Sequence, residues 1–310
     1  MASFDRWAKF RHFRLAIAIV EHGSILKAAH ALNLSQPTAS KLLQDLEDAL
    51  HAPLFHRTNR GVEPTQLGLE FVRHGKTILA QLDQTARALD SLARGAGGHV
   101  VLGTLLTASS FLLPRTLARL RRNRPNIRFK IVEGTNDQLM PRLISGELDL
   151  IVGRLSEFRH RNDLEQEALC ADAMSIVARI NHPFAQSANV SLAELADAEW
   201  VLPPAETTLR RQFEMIFHKS GLSAPQAAIE SVSFLNNRLL LQETDMLGVW
   251  PRAMIEAGLD HDRIVTLRTE VALPEGVIGV SRRRGAVMSP AAEALMAELR
   301  ATAQDAYPEA

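Results

Sequence analysis

Three glycines in four residues, Gly95, Gly97 and Gly98, separate stretches of this chain that obey different periodicities. Before them, from residue 66 to about 94, apolar residues recur at helical spacing without interruption, and one long helix is predicted. After them, apolar runs such as "VVLGTLL", "IRFKIVEG", "LDLIVGRL", "MSIVARI" and "GVIGVSRR" alternate with helical patterns, the signature of an α/β domain. Glycine clusters between periodic segments read as hinges. The 310 residues also exceed the ~100 to 200 of a typical domain, so more than one buried core is expected.

Several classes are excluded early. The longest apolar runs, such as residues 15–20, fall far short of the ~20 residues a membrane-spanning helix needs. The opening "MASFDRWAKFR" lacks the apolar core and small-residue cleavage site of a secretory signal, and the chain is read as soluble and cytoplasmic. One cysteine, Cys170, permits neither an internal disulfide nor a multi-cysteine metal site. The net charge is zero. Residues 1–95 hold 12 Lys and Arg against 9 Asp and Glu, which leaves 23 against 26 for the remainder. An asymmetry this small means that any nucleic-acid binding must rest on local geometry and on more than one copy.

Within the long helical pattern, Val72, Gly75, Leu79, Leu82, Ala86, Leu89 and Ala93 form a 3,4 heptad seam. Its residues are small or leucine, and self-association is the natural use of such a seam between two domains; the alternative is a helix packed on its own chain. Val72, Leu79, Leu82 and Leu89 are the dimerisation candidates.

Residues 1–65 carry short helical stretches punctuated at Gly23, Asn33, Pro53 and Gly61. Gly23 ends one helix and Ser24 is placed to cap the next, "ILKAAHAL", whose Ala28 and Ala29 allow a second helix to cross closely. Asn33 tolerates the backbone angles of a tight turn. In "LNLSQPTASKL", Ser35 is a helix N-cap and Pro37 falls in the first turn, where its missing N–H is not needed. Leu42, Leu43, Leu46 and Leu50 give the buried face. Gln36, Thr38, Ser40 and Lys41 remain at the outer, N-terminal end, where helix dipole and free N–H groups favour phosphate. This is the pattern of a helix-turn-helix, whose second helix enters the major groove; on these residues alone, a polar-capped surface helix in an ordinary bundle is the alternative. Then "APLFHRTNRGVEPT" supplies Pro53 to close the helix, Phe55 as an anchor, and a hairpin with Arg57 and Arg60 near its tip, within reach of phosphates or the minor groove. Thr65 caps the long helix.

The residues "FRLAIAIVEHGSILKAAHALNLSQPTASKLLQDLEDAL" and "PLFHRTNRGVEPTQLG" resemble the winged helix-turn-helix of LysR-type transcriptional regulators. The paired alanines, Ser-Gln-Pro, Leu46-Glu47, Pro-Leu-Phe-x-Arg and Thr-x-x-Gly are all present; Leu26 and Lys41 depart from residues common in the family. The resemblance implies an all-α winged helix-turn-helix over 1–65, a linker and dimerisation helix over 66–94, and an effector-binding domain over 95–310. That domain would be α/β, two-lobed and shaped like a periplasmic binding protein, with lobe I at about 98–167 and 269–310 and lobe II at about 168–268. It implies no cofactor. The implied partners are a pseudo-palindromic site on double-stranded DNA, a small-molecule effector, further copies of the chain up to a tetramer, and RNA polymerase; no membrane is involved.

Polar residues at strand ends and helix starts are the effector-site candidates. They are Thr107, Ser109 and Ser110 after the first strand, Thr135 after "FKIVEG", Arg154 after "LDLIVG", Thr207 and Thr208 in "AETTLRRQF", and Ser233 and Phe234 in "VSFLNN". Hydroxyls, helix N-termini and an arginine suit an organic acid, aromatic ones included; a sugar fits the hydroxyls nearly as well. Catalysis is not expected: "TASSF" lacks a Gly-x-Ser-x-Gly elbow, the histidines show no metal-ligand spacing, and no phosphate-cradling glycine loop occurs.

Overall fold

A computed structural model of the chain describes residues 8–58, 61–93, 97–155, 163–256, 262–271, 273 and 275–306. By contact density the chain forms two compact units, one comprising Met1–Asp90 with Ser145–Glu147 and the other Ser91–Ile144 with Leu148–Ala310.

The N-terminal unit runs α1 (Phe10–His22), α2 (Ile25–Ala31), α3 (Gln36–Leu50), β1 (Phe55–Thr58), β2 (Gly61–Pro64) and α4 (Gln66–Ala93). Phe13, Leu15 and Ile19 of α1, Ala28 and Ala29 of α2, and Leu42, Leu43 and Leu46 of α3 pack in one core with Leu54, Phe55, Phe71 and Val72. The two alanines are essentially inaccessible, as a close helix crossing requires. Gly23 takes φ +63° to end α1, and Asn33 takes φ +54° in the turn before α3. Ser24 holds the N-cap position of α2 but makes no capping bond with its side chain. α3 ends earlier than Pro53: His51, at φ +53°, is the left-handed residue that stops it.

β1 and β2 pair as an antiparallel hairpin, the wing that the sequence led one to expect. Thr65 accepts from Gly68 N at 3.0 Å and donates to Pro53 O at 3.0 Å, which ties the start of α4 to the segment before the wing. Gly68 has no alternative: a Cβ there would lie 2.0 Å from Leu54 O.

The heptad seam of α4 divides in two. Val72 is buried in the core of its own unit, Leu79 packs against that core, and a Cβ on Gly75 would lie 2.9 Å from the Phe13 ring. Val72 is therefore not open to a second copy, because helical period alone does not distinguish an intramolecular seam from an intermolecular one. Leu82 and Leu89, 38 % and 62 % exposed, carry the open part.

The C-terminal unit runs β3 (His99–Thr104), α5 (Leu106–Ser109), α6 (Leu112–Asn123), β4 (Arg128–Glu133), α7 (Asn136–Ile144), β5 (Leu150–Arg154), β6 (Leu164–Asp172), β7 (Met174–Arg179), α8 (Leu192–Ala196), β8 (Trp200–Leu202), α9 (Thr208–Lys219), β9 (Ala227–Glu230), α10 (Phe234–Glu243), β10 (Leu247–Pro251), α11 (Arg252–Glu256), β11 (Ile264–Thr266), β12 (Gly276–Arg283) and α12 (Pro290–Ala306). Two five-stranded sheets result, in the orders β4-β3-β5-β12-β6 and β11-β7-β10-β8-β9. The inner strands of both bury their two faces: Val100 and Leu102 point to one core and Val101 to another, while Trp200 and Leu202 oppose Val201 in the same way. That is why these strands read as nearly continuous apolar runs.

Each sheet is the heart of one lobe, and the chain passes between them at 172–174 and again between β11 and β12. The first passage corrects the expected lobe boundary at 167/168. β6 is paired with β12 along its whole length, from Leu164 to Asp172, and so belongs to the first lobe.

Candidate functional site

In the N-terminal unit, Ser35 Oγ accepts from Thr38 N at 3.3 Å and shares a 2.7 Å hydrogen bond with Thr38 Oγ1. Pro37 follows in the first turn. Ser35, Gln36, Pro37, Thr38 and Lys41 are exposed at the start of α3 and Ser40 is half-buried, while Ala39 between them is fully buried and pins the helix to the core. Thr38 is thus partly a capping residue, its hydroxyl already engaged. β2 is joined to the α1–α2 turn by Val62 N donating to Gly23 O at 3.1 Å, and a Cβ on Gly61 would stand 2.6 Å from that same oxygen. Glu47 Oε1 accepts from both Leu54 N (2.7 Å) and Phe55 N (3.1 Å), which fixes where the wing begins. Arg57 is in β1 opposite Val62. Its side chain and all of Arg60 lie outside the described residues.

In the C-terminal unit, the carboxyl ends of parallel strands from both sheets face a cavity of about 520 Å3. Ligand sites of open α/β sheets form at such ends. The first lobe contributes Leu105, Leu106 and Thr107 after β3, Glu133 to Asn136 and Gln138 around the start of α7, and Arg154 at the end of β5. The second contributes Pro203, the start of α9 (Thr207, Thr208, Leu209) and the start of α10 (Val232, Ser233, Phe234, Leu235).

Besides the one-turn α5, three helices, α7, α9 and α10, begin at this wall. The N–H groups of a first turn have no partner within the helix, and aligned peptide dipoles place positive potential there. Thr207 Oγ1 accepts from Arg210 N at 3.3 Å and Ser233 Oγ from Asn236 N at 3.4 Å, each capping its helix. Arg154 adds a full positive charge and is only 3 % exposed. Its backbone N donates to Thr107 Oγ1 at 3.2 Å. Its guanidinium Nη1 donates across the cleft to Gln212 Oε1 on α9. One helical turn earlier on the same face of α9, Thr208 Oγ1 accepts from Asn136 Nδ2 at 3.4 Å. Asn136 Oδ1 is buried without a partner among the described residues.

Comparison with known proteins fits both sites. The profile described as "LysR substrate binding domain" matches residues 93–304, and that described as "Bacterial regulatory helix-turn-helix protein, lysR family" matches residues 10–69. The chain belongs to the LysR family of transcriptional regulators. Among relatives, the HTH-type transcriptional regulator GbpR of Azospirillum brasilense is 32 % identical over 297 residues, covering 94 % of this chain and 86 % of that protein. The regulator GalR of Pseudomonas putida is 30 % identical, with 94 % and 73 % covered, and PcaQ of Agrobacterium fabrum 26 %, with 98 % and 97 % covered. The fold is shared with the LysR regulator CbnR, whose crystal structure superposes with a TM-score of 0.68 at 20 % identity, covering 96 % of this chain and 99 % of that one.

As a LysR-type regulator the protein is a DNA-binding transcription factor with an effector-binding domain, not an enzyme. Of the nine residues expected at a LysR effector site, Thr107, Thr135, Arg154, Thr207, Thr208, Ser233 and Phe234 line this cavity. Ser109 and Ser110 do not. Ser109 Oγ lies 3.1 Å from both Leu106 O and Glu133 Oε1, and Ser110 Oγ donates to Thr107 O at 3.2 Å, because the chain turns into α5 and directs both hydroxyls back onto local acceptors. Sequence reasoning missed Asn136, the residue after Thr135 at the start of α7, and Gln212, one turn beyond Thr208; helical spacing from the residues already chosen would have reached both. Among the described residues there is no cluster of His, Cys, Asp and Glu able to hold a metal ion, and no helix is long and apolar enough to cross a membrane.

Proposed function

We propose that this LysR regulator binds a pseudo-palindromic promoter site and that a small organic acid with an apolar, aromatic-compatible body, seated between the lobes, modulates that binding. The observation that carries the acid is the convergence of three helix N-termini and the buried Arg154 on one cavity. The apolar body follows from Leu105, Leu106, Pro203, Leu209, Val232, Phe234 and Leu235 in the same wall. A sugar is less well served. Its many hydroxyls need free polar partners, whereas Thr135 Oγ1 already donates to Asp137 (2.5 Å) and Thr207 Oγ1 to Pro204 O (2.8 Å).

Ligand closure of the lobes would act through how copies associate. Leu82 and Leu89 on α4, with Leu79 beside them, give the dimer contact; pairs of dimers form a tetramer whose DNA-binding ends change angle, and so alter access for RNA polymerase in the cytoplasm. Such a switch requires that the acid bind the two arrangements with different affinity. Footprinting on the divergent promoter beside its own gene, with and without a panel of carboxylates and sugars, is the test. Protection altered by an acid is expected; no protected region under any condition, or a response to sugars alone, would overturn the reading.

A further inference from the structure

We infer that Gln212 is the specificity-determining residue of the cleft, holding Arg154 from the opposite lobe with a neutral amide that a carboxylate displaces and an uncharged ligand does not. The inference rests on the acid reading of the same cavity. Gln212 Oε1 on α9 accepts from Arg154 Nη1 on β5, so the hydrogen bond joins the two lobes. Arg154 is buried and lines the cavity, and Gln212, which is not itself a lining residue, holds its Nη1, so a ligand oxygen that takes this N–H displaces Gln212. The exchange differs by ligand charge. Bonds from guanidinium to carboxylate are charge-assisted and roughly twice as strong as those to a neutral acceptor. An acid gains by replacing the amide oxygen, whereas an alcohol or amide exchanges one neutral acceptor for another.

The neighbouring lobe contact is poorly made and adds little resistance. Asn136 Nδ2 reaches Thr208 Oγ1 at 3.4 Å and its Oδ1 has no partner among the described residues. Thr208 and Gln212 are four residues apart on one face of α9, so displacement of Gln212 acts on the same helix face that carries this second contact.

The test uses the full-length protein with benzoate, cinnamate and hexanoate, each paired with its primary amide, followed by calorimetry and thermal shift. In the unsubstituted protein the acids bind and the amides bind at least tenfold more weakly. Gln212→Glu places a carboxylate on Arg154 in place of the ligand's and should cost the acids more than tenfold, with the amides little changed. Gln212→Met removes the competitor at similar volume; acids and amides should both bind more tightly, because neither then displaces a bonded amide oxygen. A ratio identical in all three proteins, or undiminished acid binding by Gln212→Glu, overturns the role of Gln212 and leaves the acid reading standing. Failure of every acid to bind the unsubstituted protein overturns both.

Discussion

Gly276 lies against the guanidinium of Arg154 so closely that a Cβ on it would stand 2.4 Å from Cζ and Nη1. It opens the crossover strand β12, which returns the chain to the first lobe. An alanine here has to push the guanidinium out of its slot. The displaced atoms are the end of a side chain rather than backbone, so the fold should persist with a small fall in melting temperature. For Gly276→Ala we expect acid affinity to fall roughly tenfold or more. Unchanged acid affinity by calorimetry would mean that the cleft does not use the position of Arg154.

Glu47 serves the wing in a comparable way in the N-terminal unit. Its Oε1 takes the N–H groups of Leu54 and Phe55, both of which are buried residues. Glu47→Ala leaves two donors without an acceptor and should cost about 2 to 4 kcal/mol of stability in that unit. Glu47→Gln keeps an acceptor oxygen in place and should recover much of the loss. Urea unfolding followed by far-ultraviolet circular dichroism measures both, and equal stability of the two variants would contradict this account.

Local chemistry was the most legible part of the sequence. Ser35, Pro37, Gly23, Asn33 and Thr65 act through their own backbone neighbourhood, so their positions could be read from spacing alone. The lobes were legible as alternating patterns, and strand ends pointed to Thr107, Thr135, Arg154 and Thr207. What escaped depends on contacts between distant segments. Gln212 has meaning only across the cleft from Arg154, Gly276 only beneath its guanidinium, and Val72 turned inward because α1 happens to lie beside α4. The end of α3 was missed for another reason: His51 adopts a left-handed backbone that the sequence assigns by preference to glycine or asparagine.

We expect Gln36 to read bases and Arg57 to anchor phosphate. Gln36 is exposed at the first position of α3, where a side chain addresses base edges; Arg57 is on the wing strand β1. Gln36→Ala should weaken the promoter site by roughly 1 to 3 kcal/mol while leaving random DNA almost unaffected. Arg57→Ala should weaken both alike and reduce the slope of log affinity against log salt by about one. Fluorescence anisotropy at several salt concentrations reads both quantities, and the same effect of the two substitutions on promoter and random DNA would contradict the division.

His182 sets a pH dependence in the second lobe. Its Nδ1 accepts from Phe184 N at 3.0 Å and its Nε2 lies 3.0 Å from Asp245 O, so the neutral ring with the proton on Nε2 fits both partners. Burial holds its pKa below the ordinary 6.5, against the opposing pull of the Asp245 carbonyl and carboxylate. Between the folded and unfolded values the unfolded chain binds the extra proton, so stability is full above about pH 6.5 and is lost as pH falls toward the folded pKa. Asp245, held below 3.8 by its hydrogen bond from Arg179, titrates under this window. Calorimetric scans from pH 7.5 to 5.5 should show a falling melting temperature, and His182→Asn, which keeps an acceptor near Phe184 N without a titrating ring, should flatten the slope. Parallel slopes for the two proteins would remove His182 from the explanation.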